Sequence, residues 1–145
     1  MIDSIYDEIV QKLEDQNLSK NKEYFDMDNV PDSVVDKSFS IAPINFDEGD
    51  FETPQNKRSF QGKIINLKAL MKIYIARKIP AKDYNSENKN ISSKNEDIIK
   101  SVLSIGVGSD EKDQILFAGS SSVFAGTVLI SEIDFNIDYR INNLI

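Results

Sequence analysis

Ile65-Asn66-Leu67-Lys68-Ala69-Leu70-Met71-Lys72-Ile73-Tyr74-Ile75 and Leu129-Ile130-Ser131-Glu132-Ile133-Asp134-Phe135-Asn136-Ile137-Asp138-Tyr139-Arg140-Ile141 decide the fold of this chain. Every odd position of the first stretch is apolar, and so is every odd position of the second except Ser131. The even positions carry Asn66, Lys68 and Lys72 in the first, and Glu132, Asp134, Asn136, Asp138 and Arg140 in the second. A period of two is the signature of a β-strand with one buried and one wetted face. At ~3.3 Å per residue each strand would run roughly 40 Å, about twice the usual length. Strands of that length exceed what a small core needs. They point to a sheet that projects, or that meets other copies of itself.

Around these strands the spacing predicts a helix over residues 3–15, with Ile2, Ile5, Tyr6, Ile9 and Leu13 on one face and Asp3 or Ser4 as its cap. Residues 16–36 are polar, with a turn signal at Val30-Pro31-Asp32. A first strand is expected over Ser38–Ile44, then a long acidic-to-basic loop over 45–61. The first long strand is expected from Lys63 to Lys78, with Pro80 as its stop. The Asn-, Lys- and Ser-rich segment 81–94 reads as a surface loop, and Ser93-x-x-Glu96 as a capping box opening a second helix. A short strand follows at 114–118, then a turn at Gly119-Ser120-Ser121-Ser122, then the second long strand to Ile141. The expected fold is one α+β domain over residues 1–145, in the order α-β-β-α-β-β. Its sheet would be four-stranded and mainly antiparallel, with two helices on one face.

Composition narrows the chemistry. The 145 residues carry a net charge of -7 and contain no Cys, His or Trp. Without Cys there is no disulfide, thiolate nucleophile or thiolate zinc site. Without His, a Ser-His-Asp triad is impossible and the commonest general base is missing. The acidity argues against a free-standing nucleic-acid binder, which needs a concentrated positive patch. The acidic start, Asp3-x-x-x-Asp7-Glu8, is unlike a secretory leader, and no apolar run is long enough to span a membrane.

The remaining motifs have bland readings. Asp47, Glu48, Asp50 and Glu52 offer oxygen ligands for a divalent cation but lack the EF-hand spacing, so a solvated acidic loop is the simpler account. Gly119-Ser120-Ser121-Ser122 lacks the closing glycine of a nucleophile elbow, because Val123 stands there. Gly106-Val107-Gly108 follows a helix rather than preceding one, and is read as a helix stop. The Asn17 and Asn90 glycosylation patterns read as chance. Glu132, Asp134 and Asp138 share one strand face, and Lys68 and Lys72 share another. If these strands are antiparallel neighbours, opposite charges pair across them. These five residues, with Asp47, Glu48 and Asp50, are the candidate subunit or partner contacts. No catalytic, metal or cofactor site is expected.

The helix Ile2–Leu13, the strands Ser38–Ile44 and Ile64–Arg77, the helix Glu96–Leu103 and the closing strand Ile130–Ile141 together resemble the tail terminator proteins of long-tailed bacteriophages, and the related tail-completion and head-tail joining proteins. The resemblance lies in element order and covers nearly all the chain. It implies a non-enzymatic virion protein, assembled in the host cytoplasm, that forms a ring, usually a hexamer. Such a ring sits on the head-proximal end of the tail tube and meets the head connector. A different class also fits the order of elements: a monomeric, ferredoxin-like α+β module that binds a ligand or regulates a partner.

Overall fold

The computed structural model describes residues 1–48, 63–107 and 113–143. Two long strands organise it. Lys63–Lys78 (β4) and Val128–Asn143 (β6) pair antiparallel without a slip, from Lys63 opposite Asn143 to Lys78 opposite Val128. Each runs 16 residues, about 50 Å of extended chain. Alternation fixes this register, because a shift of one residue would carry every core side chain to the wrong face.

The odd face builds the main core. Ala69, Met71, Ile73 and Ile75 of β4, and Ile133, Phe135, Ile137 and Tyr139 of β6, are buried there. Two helices cover this face. Helix α1, Ile2–Asp15, contributes Ile5, Ile9 and Leu13. Helix α2, Tyr84–Leu103, contributes Ile98 and Val102. The first helix ends in a Schellman-type turn: Leu18 N–H donates to the Leu13 carbonyl, and Asn17 adopts a φ of 64°. No side chain caps its start. The Asp3 carboxylate instead accepts from the Ser4 N–H inside the first turn.

Among the described residues the sheet has six strands, not four: with β4 and β6 stand Ser19–Lys20 (β1), Ser38–Ile41 (β2), Asn45–Glu48 (β3) and Gln114–Ala125 (β5), in the order β1-β2-β4-β6-β5, with β3 beside β4. The element order is accordingly α-β-β-β-β-α-β-β. The additional strands are short. Ser19–Lys20 (β1) pairs parallel with Ser38–Ile41 (β2), which lies antiparallel to β4. Asn45–Glu48 (β3) pairs antiparallel with Leu67–Leu70 of β4. Residues 45–48 therefore form a strand rather than the start of a loop. The rest of the expected 45–61 loop, apart from these four residues, lies outside the described residues, as does Asp50.

Two further expectations are corrected. Residues 81–94 are not a loop: a short 3-10 turn, Ala81–Asp83, leads directly into α2 at Tyr84. Ser93 and Glu96 sit inside that helix, and Glu96 pairs with Lys100 one turn on, at 2.8 Å, instead of capping. Sparse anchors hold the polar first half. Tyr84 packs edge-on to Phe124, Ile91 is buried, and the Tyr84 hydroxyl donates to Asn88. The Gly119–Ser122 segment is likewise not a turn. It lies within a 12-residue strand, Gln114–Ala125 (β5), and Gly119, at a φ of 137°, sits at a bulge. The turn comes later, at Gly126-Thr127. Gly126 has a φ of 65° and Thr127 is not among the positive-φ residues, which fits a two-residue type II′ hairpin.

The even face is divided. Toward one end, Tyr74, Ala76, Val128 and Ile130 are apolar, and the segment between β1 and β2 folds over them. Phe25 and Val34 from that segment are buried against them, and the Phe25 N–H donates to Ser40 Oγ at 3.3 Å. Toward the other end the even face carries the charged residues.

Candidate functional site

The charged half of the even face is a ladder across three strands. In the observed register Lys68 stands between Asp47 on β3 and Asp138 on β6. Two rows on, past Leu70 opposite Asn136, Lys72 faces Asp134, and its Nζ lies 4.0 Å from Glu132 Oε1. The strands are antiparallel neighbours, so opposite charges face each other across them, and Lys72 and Glu132 form an ion pair within one chain. Each such pair contributes ~0.2–1 kcal/mol. Glu48 pairs with Leu67 and so lies on the opposite face from Asp47. Those two acids do not converge. Among the described residues no group of three or more acidic side chains is placed to hold a metal ion.

The boundary between the charged and apolar halves is electrostatically tense. Tyr74 is directly opposite Glu132, and Tyr24 stands edge-on to Tyr74 with ring centroids 6.5 Å apart. Burial, then the neighbouring Glu132 carboxylate, holds the Tyr74 hydroxyl far above the ordinary phenol range. Asp134 Oδ1 is buried with no hydrogen-bond donor among the described residues. Burial raises the Asp134 pKa, Glu132 adds to the rise, and Lys72 opposes it. This cluster is polar and partly covered, with the Tyr74 hydroxyl beside the Glu132 carboxylate. It fixes register and sets the charge of the face.

The second candidate surface, β5, was not anticipated from the sequence. Among the described residues only β6 pairs with it, so the other edge of β5 carries main-chain groups that no described strand pairs. Its sequence, Gln114-Ile115-Leu116-Phe117-Ala118-Gly119-Ser120-Ser121-Ser122-Val123-Phe124-Ala125, contains no charge and no proline. Leu116, Phe117 and Val123 are 42%, 43% and 42% exposed. Phe117 touches the core only at its rim, edge-on to Phe135 at 6.2 Å. The absence of charge and proline over twelve residues was the available signal, obscured by the turn-like Gly-Ser-Ser-Ser. Compared with models of known protein families and with curated proteins, the chain matches none.

Proposed function

We propose that the chain is a structural subunit of a bacteriophage neck or tail, acting as a ring that terminates the tail tube and joins it to the head connector. The observation that carries this reading is the β5 edge, which no described strand pairs. Sheet edges in soluble proteins are ordinarily blunted by charge, proline or brevity, and a long uncharged one is a template for another strand. Strand addition supplies main-chain hydrogen bonds, and exposed Leu116 and Val123 supply apolar contact. The opposite side of the sheet ends in the short β1 beyond β2 and, directly beside β4, in the short, exposed β3, with Phe46 half-exposed. An edge of one copy meeting a different edge of the next is a head-to-tail contact, which closes into a ring when the rotation permits. The charged ladder then decorates the ring and discriminates among partners.

The reading is non-enzymatic, with a hexamer as the expected ring and tail tube and connector proteins as its partners. The test is tube capping. The purified protein is added to tail-tube subunits as they polymerise, and tube lengths are measured by negative-stain microscopy. Ring-capped ends and shortened tubes are expected; tubes of unchanged length with bare ends would contradict the reading. The alternative, a monomeric ligand-binding module, draws support from one observation, a cationic cavity on the helix-covered side.

A further inference from the structure

Where β4 ends beneath α2, a cavity of about 280 Å3 is lined by Gln16, Lys37, Arg77, Lys94, Asp97 and Ile98 among others. Three cations against one carboxylate is an unusual balance in a chain of net charge -7. Arg77 is the centre of the arrangement. It is only 6% exposed, on a strand that fixes its backbone. One guanidinium N–H donates to the neutral amide oxygen of Asn95 at 2.9 Å. Asn95 is in turn held by a 3.3 Å bond to Ser131 Oγ, so the fork is oriented from behind. No other guanidinium N–H bonds a described residue, and no carboxylate of the described residues lies within 4.0 Å. Asp36 contributes favourable charge nearby, but its carboxylate is engaged by the Lys78 N–H at 2.7 Å.

A buried arginine without a salt-bridge partner is costly, and an incoming anion would relieve that cost. Lys37 adds a second observation. Its φ of 58° is strained for a lysine, and both its backbone groups are fixed: the N–H by the Ala76 carbonyl, the carbonyl by the Ser19 N–H. The backbone therefore holds this residue, whose side chain lines the cavity, in a conformation that asparagine or glycine would adopt with less strain. A planar guanidinium fork binds oxyanions in bidentate fashion, and lysines add point charge. Three cations exceed what a monovalent carboxylate would need and suit a divalent phosphate.

We propose that this cavity binds a small phosphate-bearing molecule, with Arg77 as the oriented fork and Lys37 and Lys94 as flanking charges. The volume leaves room for several heavy atoms beyond the phosphate itself, since a liquid water occupies about 30 Å3. Because no β5 residue lines the cavity, the site stands whether the chain acts alone or in a ring.

Isothermal calorimetry and thermal melts test this with inorganic phosphate and glycerol 3-phosphate, against chloride and acetate at matched ionic strength. Both phosphates should bind and raise the melting temperature, while chloride and acetate should not. A Lys37→Asn/Lys94→Gln variant alters two exposed side chains and, with asparagine suited to the positive φ at 37, should melt no lower than the native chain without ligand, yet lose at least about tenfold in phosphate affinity. Arg77→Gln should abolish binding; any folding defect it causes is read separately from the lysine variant. Binding of acetate as tight as phosphate, no phosphate binding beyond chloride, or full affinity in the lysine variant would each overturn the proposal.

Discussion

Strand β6 has two neighbours, and they are unlike. On one side β4 matches it residue for residue, is buried under the helices on its odd face, and carries lysines opposite acids on its even face. On the other side β5 slips register at a bulge, is mostly exposed on both faces, and carries no charge. Both are paired by main-chain hydrogen bonds to the same strand. The difference shows that pairing alone does not complete a strand: β4 has a described neighbour on each side, whereas β5 has one edge that no described strand pairs and much of both faces exposed. The same contrast underlies the proposed assembly.

The largest expected effect lies on β4. Ile73 is fully buried, so Ile73→Asp loses ~1.5–3 kcal/mol of apolar burial and places an unpaired charge in the core. The domain should be unfolded by circular dichroism at 25 °C. The contrasting change on β5, Val123→Asp, should cost less than about 1 kcal/mol, because that side chain is already solvated. If the two behave alike, the distinction between the neighbours is wrong.

A smaller effect is expected where β4 meets β6 on the charged face. Lys72→Glu removes the counter-charge to Glu132 and Asp134 and adds a third acid beside them. With Lys72 half-exposed, the loss should be at most ~1 kcal/mol, diminishing in high salt. Urea melts at low and high ionic strength measure it.

The smallest effect concerns Asp134. Its folded pKa is raised, so its contribution to stability is present below the ordinary aspartate range and is lost as pH rises through the raised value. Asp134→Asn should therefore be slightly more stable than the native chain at pH 7, by a degree or two in melting temperature, with the advantage gone below about pH 4. Thermal melts across that range check the sign.

Legibility in the sequence followed periodicity. The two long strands, their facing and the first helix are visible in uninterrupted patterns. The opposition of Lys72 to Asp134 followed from those patterns once the strands were neighbours. Elements with few apolar anchors were hidden. The first half of α2 is mostly Asn, Lys, Ser and Glu, and its helix is secured by Tyr84 against Phe124 and by buried Ile91. Short β1 and β3 carry no pattern of their own and exist because longer strands template them. The Arg77 cavity was invisible for another reason: Lys37, Arg77 and Lys94 are far apart in sequence and are gathered only by the fold.

The mass of the protein in solution bears most directly on the unfinished β5 edge. Multi-angle light scattering should give a discrete assembly, about six times the 16.4 kDa of one chain, over a range of protein concentrations. A Leu116→Lys/Val123→Lys variant places charge on that strand and should elute as a folded single chain, its circular dichroism unchanged. A native chain that stays at 16.4 kDa at every concentration, or a variant that assembles as before, would contradict assembly through β5.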